Sequence, residues 1–282
     1  MPGEPIEKVA SVVAYIEAHL TESLNLDRVA AAVHYSKYHL HRQFTRTVGM
    51  TIHDYIWRRK LTEAAKRLVF SSMPVLDIAL LAGYESRQAF TDAFTAAYKI
   101  PPHTFRQKAV FYPLQLRWEF KNCPSGAKVK SEAIAFAKET DIPCWLELTR
   151  LVIDGFPHLE ENEYLTALRQ HIRARQALIL KDGNTAVGAA LFSRRTGSIE
   201  FIGCHPLYRN RGIFRVLLDR ILRELPAGLE VSTTTFREGD RADTGYRKEL
   251  ERLGFVQAEP LVEYGYPTQR FILHRGDGNG QG

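Results

Sequence analysis

Residues 34–44 read HYSKYHLHRQF and residues 83–94 read GYESRQAFTDAF. Ser36 to Phe44 and Ser86 to Phe94 have the same spacing. Each serine stands where a helix N-cap belongs, because its hydroxyl can accept an orphan N–H of the first helical turn. Each follows a short segment of helical period, Leu26–Val33 or Val75–Leu81, and a tight turn, with Gly83 ending the second. A short helix, a turn and a Ser-capped second helix make a helix-turn-helix, present here twice. In the first copy Leu40 and Phe44 share a core face, which leaves Lys37, Tyr38, His41 and Arg42 outward. In the second, Phe90 and Phe94 turn inward and Arg87, Gln88, Thr91 and Asp92 outward. Base edges in the major groove need donors and acceptors on such a face; Arg suits guanine and Gln adenine. Two such helices about 34 Å apart would enter successive major grooves from one side. By itself the pattern also fits a helical hairpin whose polar face is only solvated.

Helical signals surround both copies. Ile6, Val9, Val12, Val13, Ile16 and Leu20 form one apolar face. Thr51 and Asp54 resemble a capping box and open a longer helix through Leu68. Pro101 and Pro102 break the run after Ala97.

The whole chain is 282 residues long, room for two domains at about 150 residues each. With 45% hydrophobic and 25% charged residues it is not disordered throughout. Lys plus Arg number 38 against 32 Asp plus Glu, a net charge of +6 that suits a polyanionic partner. Residues 1–112 hold 14 of those cations, 10 of the acids and six of the ten histidines. Three cysteines, with no CxxC and no HExxH, argue against a disulfide framework or a structural zinc and fit a reducing cytoplasm. No run of 18 uncharged apolar residues is present, so no membrane span is expected. The opening MPGEPIEKV lacks the apolar run of a signal peptide.

Lys121–Lys130, KNCPSGAKVK, reads as an exposed connector, and the closing GDGNGQG as a disordered tail. The division expected is 1–112 as a first domain, 113–131 as linker, 132–275 as a second domain and 276–282 as tail. In the second domain the period changes. Strand-like runs at 133–137, 177–180, 186–193, 199–204, 229–235 and 271–274 alternate with helical ones at 145–153, 164–175, 213–225 and 246–253. That alternation means an α/β domain behind an all-α one. Its most informative stretch is IEFIGCHPLYRNRGIFRVLLDRIL, from Ile199. A strand ends in His-Pro, a basic loop with Arg209 and Arg211 follows, and Gly212 opens a helix. Amides at a helix N-terminus attract an anion, and glycine allows close approach. The stretch fits a phosphate cradle, and equally an ordinary strand-to-helix turn with solvated arginines.

SKYHLHRQF, RRKLTEAAKRL from Arg58 and GYESRQAFTDAFTAAYKIPPHTFR from Gly83 resemble the DNA-binding domain of the AraC/XylS family of bacterial transcription regulators, in particular its MarA, SoxS and Rob branch. The resemblance, over residues 6–112, implies a seven-helix bipartite fold in which the Thr51–Leu68 helix joins two reading heads. It implies double-stranded promoter DNA and RNA polymerase as partners. By position, Ser36, Tyr38, His41 and Arg42 belong to the first head and Ser86, Arg87, Gln88 and Thr91 to the second. Lys37, Arg46, Arg58 and Arg59 are candidates for phosphate contacts. Asp92 departs from the pattern, since a basic residue is common there; an acid either repels phosphates or reads a cytosine amine.

Residues 132–275 resemble the GNAT acyltransferase fold. CHPLY, Arg209-Asn210-Arg211-Gly212 and RLGF at Arg252–Phe255 carry the likeness. It implies that acetyl-CoA lies with its pyrophosphate on the amides of Arg211, Gly212, Ile213 and Phe214, and its pantetheine arm beside the backbone of Ile202 and Cys204. It implies direct transfer to a small amine, with a base to deprotonate the amine and an acid to protonate the thiolate. Glu200 is the best base. Leu250 stands where the family's acidic Tyr is usual, so Tyr246, one turn earlier, would substitute. Phe214 replaces a usual Gly or Ala. A regulator whose second domain only senses an effector or dimerises fits the same residues.

Overall fold

The computed structural model describes residues 4–118, 133–152, 161–263 and 265–274. Lys121–Lys130 and the tail 276–282 lie outside the described residues. Two compact units emerge. The first holds the described residues up to 118 together with Gly239–Thr244; the second holds the rest.

The first unit is all-helical: α1 (Glu4–Ala18), α2 (Leu26–Ala32), α3 (Lys37–Val48), α4 (Ile52–Phe70), α5 (Val75–Leu81), α6 (Arg87–Tyr98) and α7 (Pro102–Lys108). The seven helices are those the resemblance implies. Ser36 caps α3, accepting from the His39 amide at 3.4 Å, and Ser86 caps α6, accepting from the Ala89 amide at 3.1 Å. Thr51 caps α4 and donates its hydroxyl to Asp54 Oδ2 at 2.7 Å. The duplication extends to the turns before α3 and α6. Tyr35 N–H bonds Ala30 O at 2.9 Å and Tyr84 N–H bonds Ala79 O at 3.0 Å, each reaching back five residues. Both turns pass through the left-handed region, with φ +56° at His34 and +88° at Gly83. Glycine takes that conformation freely, whereas His34 is strained. The proline pair differs from expectation. Pro102 starts α7 instead of ending the helical run, because the first helical position has no use for the missing N–H.

Phe90, Phe94, Tyr98, Phe105 and Tyr112 stack into one aromatic core under α6 and α7. Residues 113–118, at the start of the expected linker, pack on α4: Leu114, Gln115 and Trp118 are buried. The amides of Leu114 and Gln115 donate to Thr62 Oγ1 at 3.1 and 3.0 Å.

The second unit contains β1 (Ile134–Phe136), α8 (Ile142–Val152), α9 (Glu161–Arg173), β2 (Ala177–Asp182), β3 (Thr185–Phe192), β4 (Ile199–Cys204), α10 (Ile213–Glu224), β5 (Val231–Phe236), α11 (Tyr246–Arg252), β6 (Val256–Glu263) and β7 (Tyr266–Leu273). It is α/β, as the alternation predicts, with antiparallel sheets. One sheet has the order β1-β2-β3-β4 and the other β5-β7-β6. They join between β4 and β5 by a single parallel bridge, Ser198 to Ser232, with Thr233 Oγ1 donating to Ile199 O at 2.9 Å. Among the described residues, β4 beyond that bridge has no ladder partner on its β5 side. The strand reading missed β6 altogether.

Candidate functional site

In the first unit, the two capped helices carry the predicted readers outward. Tyr38 is 76% exposed, and His41, Arg42 and Arg46 are exposed beside it on α3. Lys37 lies over the Tyr38 ring, 5.6 Å from its centroid, and pairs with Asp27 at 3.0 Å. That pair is solvent-exposed, so it contributes little and phosphates can compete for the lysine. On α6, Arg87 and Gln88 are exposed. Thr91 is half-buried and returns its hydroxyl to Arg87 O at 2.8 Å. Gln88 Nε2 donates to Asp92 Oδ1 at 2.8 Å, so the unusual acid holds a predicted base reader.

Arg58 and Arg59 are not phosphate contacts. They are 2% and 5% exposed, inside the unit. Arg58 donates to Leu114 O and Ala242 O, each at 3.0 Å. Arg59 forks onto Glu17 at 2.8 and 3.0 Å, reaches Glu63 at 3.1 Å and donates to Gln115 O at 3.1 Å. Tyr55 donates its hydroxyl to Glu17 at 2.8 Å, and burial beside that carboxylate pushes its pKa well up. The buried Arg59 charge is matched by the carboxylates of Glu17 and Glu63.

In the second unit, α10 opens at Gly212 (φ +73°) with no side-chain cap. Its first helical bond is Val216 N–H to Gly212 O, and a Cβ at Gly212 would meet open space. The Arg211 amide, expected in the cradle, is instead spent on Tyr208 O at 3.0 Å. The amides of Gly212, Ile213 and Phe214 remain to face an anion. The Phe214 ring is buried and meets Tyr246 edge-on, with centroids 5.6 Å apart. The Arg209 guanidinium lies 5.6 Å from the same Tyr246 ring, so Arg209, Phe214 and Tyr246 come together beside the helix start. Leu250 is packed in the core. Burial pushes the Cys204 thiol up to about 12, so that sulfur is no nucleophile. Burial also lowers His205 to about 4, and its Nδ1 accepts from the Leu207 amide at 3.2 Å, a turn-forming role.

Glu200 stands at a bulge. The β3–β4 register passes from Leu191 opposite Phe201 to Phe192 opposite Ile199, and Glu200 is the unpaired extra residue. The bulge turns its carboxylate to His171 of α9, with Nε2 3.1 Å from Oε2. The other ring nitrogen, Nδ1, lies 2.9 Å from Ala167 O. With an acceptor facing each nitrogen, the doubly protonated imidazolium is the form that satisfies both contacts. The carboxylate raises the His171 pKa, and the imidazolium lowers that of Glu200. His171 was not read from the sequence. Its only signal is its place one helical turn beyond Leu168 and two beyond Tyr164, on the inward face of α9.

The helix-turn-helix domain family matches residues 29–108, and the acetyltransferase (GNAT) family matches residues 145–255. Fold and matches define the class: a DNA-binding regulator fused to an acetyltransferase-type domain. The transcriptional activator AarP of Providencia stuartii is 40% identical over 98 residues, 35% of this chain and 73% of that protein. The multiple antibiotic resistance protein MarA of Escherichia coli is 38% identical over 98 residues, 35% of this chain and 77% of that protein. The chain belongs to the AraC/XylS-type family of DNA-binding transcription regulators and carries a C-terminal GNAT domain. A GNAT acetyltransferase structure from Bacillus cereus is similar at 16% identity and a TM-score of 0.40, covering 50% of this chain and 97% of that one. Among the described residues no helix is long and apolar enough to cross a membrane.

Proposed function

We propose that this regulator reads a cytoplasmic promoter with α3 and α6, engaging RNA polymerase there, and that its GNAT domain binds acetyl-CoA and acetylates a small amine. In this reading Tyr38, His41 and Arg42 of the first head, and Arg87, Gln88 and Thr91 of the second, meet base edges. Ser36, Lys37, Arg46 and Ser86 face the sugar-phosphate backbone.

The observation that carries the acetyl-transfer reading is the uncapped start of α10 in a unit where, among the described residues, β4 beyond the Ser198–Ser232 bridge has no ladder partner on its β5 side. The residues fit the cofactor: the helix opens at Gly212 with no side-chain cap and open space where a Cβ would stand, and Arg209 and Arg211 precede it in sequence. The amides of Gly212, Ile213 and Phe214 would hold the pyrophosphate, and the backbone of Ile202 and Cys204 would line the pantetheine arm. When bound, acetyl-CoA supplies an acetyl group activated as a thioester. Glu200 attracts the ammonium form of the acceptor and takes its proton at Oε1, while His171 holds Oε2. Tyr246, packed on Phe214, is the proton donor beside the cradle.

Calorimetric titration of acetyl-CoA into the full chain tests this. Micromolar binding that weakens more than tenfold in Gly212→Glu is expected, with turnover of an amine panel lost in Glu200→Gln. No heat at about millimolar acetyl-CoA would overturn it.

A further inference from the structure

The first unit contains a cleft of about 480 Å³ that none of the foregoing uses. Its size is that of small-molecule sites, about 300–1,000 Å³. Its walls are the end of α1, one face of α4, the end of α5 and the segment after α7, with Leu20, Leu81, Phe111 and Leu116 supplying apolar surface. On its floor lies the satisfied Arg59–Glu17–Glu63 network.

Four further cations line it: Lys60, Lys66, Arg67 and Arg117. None of them pairs with a carboxylate among the described residues. Lys60 donates to Glu22 O at 3.0 Å and Arg67 to Glu63 O at 3.2 Å, both backbone carbonyls. Burial lowers the Lys60 pKa, the mark of an ammonium short of a counter-charge. Lys66 and Arg117 are exposed at the rim. Five cations against two carboxylates, with apolar walls between, complement an anion that has a greasy body.

DNA phosphates are not that anion. Neither α3 nor α6 contributes a residue to the cleft. The helices that do contribute reach both heads: α1 packs on α2 and α3, α5 packs on α6, and α4 touches α3 and α5.

We propose that this cleft is an effector site for a small amphiphilic carboxylate, a short aliphatic or aromatic body ending in one carboxyl group, and that its occupancy changes the affinity of the two heads for DNA. The carboxylate meets Lys66 and Arg117 at the rim and the body lies along Leu81 and Phe111. Because the ligand touches elements of both heads, it favours one spacing of α3 and α6 over others. Linkage then requires DNA to change the ligand's affinity by the same factor. The proposal stands apart from the acetyl-transfer reading, which concerns the other unit.

The test is calorimetric titration of octanoate, 1-octanol and octylamine into the full chain, wild type and K66Q/R117Q. Octanoate should saturate below about 10 mM, with octanol and octylamine at least tenfold weaker. The double variant, altered only at exposed side chains, should lose about tenfold or more for octanoate and bind promoter DNA unchanged without it. Saturating octanoate should shift wild-type promoter affinity at fixed salt by at least fivefold. Equal binding of octanoate and octanol, undiminished binding by the double variant, or no saturation would overturn the site. Octanoate binding with unchanged DNA affinity would overturn its effector role.

Discussion

Gln88 and Asp92 are hydrogen-bonded across one turn of α6, Nε2 to Oδ1 at 2.8 Å. The bond occupies one of the two N–H donors on the amide nitrogen that a glutamine presents to adenine, and it sets a negative charge on the helix proposed to meet DNA. Asp92→Ala is expected to tighten promoter binding about five- to tenfold, since one like-charge repulsion near DNA is worth about 1 kcal/mol. Asp92→Arg should add about one unit to the slope of log affinity against log salt. Fluorescence anisotropy at several salt concentrations reads both. Weaker binding by Asp92→Ala would instead mean that the carboxylate accepts a cytosine amine.

Local signals carried most of the fold. Ser36 and Ser86 announce α3 and α6 because an N-cap bond spans only three residues. What depends on distant partners was invisible. Arg58 and Arg59 look like surface cations beside one another, yet Arg59's carboxylate partner Glu17 is 42 residues away. β6 escaped because it is an outer strand with half-hidden alternation, and Pro260 sits at its register shift where a ladder donor is not needed. In the candidate acyl site, Gly212 and the arginines were legible as a motif. His171 was not, because its partner Glu200 lies 29 residues further along the chain and reaches it from a bulge in β4.

His34 takes the place of Gly83 in the first head's turn, at φ +56° with no glycine to ease it. His34→Gly should stabilise the first unit by about 1 kcal/mol, the usual cost of a left-handed non-glycine residue. Urea unfolding followed by Trp57 and Trp118 fluorescence measures this. Promoter affinity should stay within twofold, since the turn shape is already glycine-like.

The buried Arg59 fork makes the opposite forecast to a phosphate contact. Arg59→Ala strands Glu17, 3% exposed at its side chain, without its counter-charge. A stability loss of about 3–5 kcal/mol is expected. A phosphate ligand would instead leave unfolding unchanged and lower the salt slope of DNA binding by about one. Denaturation and anisotropy on the same variant separate the two.

The His171–Glu200 pair gives the second unit a signed pH response. Glu200 titrates below its ordinary value of 4.5 because of His171, and His171 above its ordinary 6.5 because of Glu200. The Glu200 contribution to stability is present above pH about 4.5 and is lost as pH falls through its lowered pKa. The His171 contribution is full below pH about 6.5 and is lost as pH rises through its raised pKa. The stability difference between wild type and His171→Gln should therefore peak between those values and shrink on both sides. The proposed acetyl transfer adds a readout that packing alone would not move. Without His171 the Glu200 pKa rises toward that of a free carboxylate, so the acid limb of the kcat/KM profile should move to higher pH in His171→Gln. An unmoved acid limb with intact turnover would remove Glu200 as the proton acceptor.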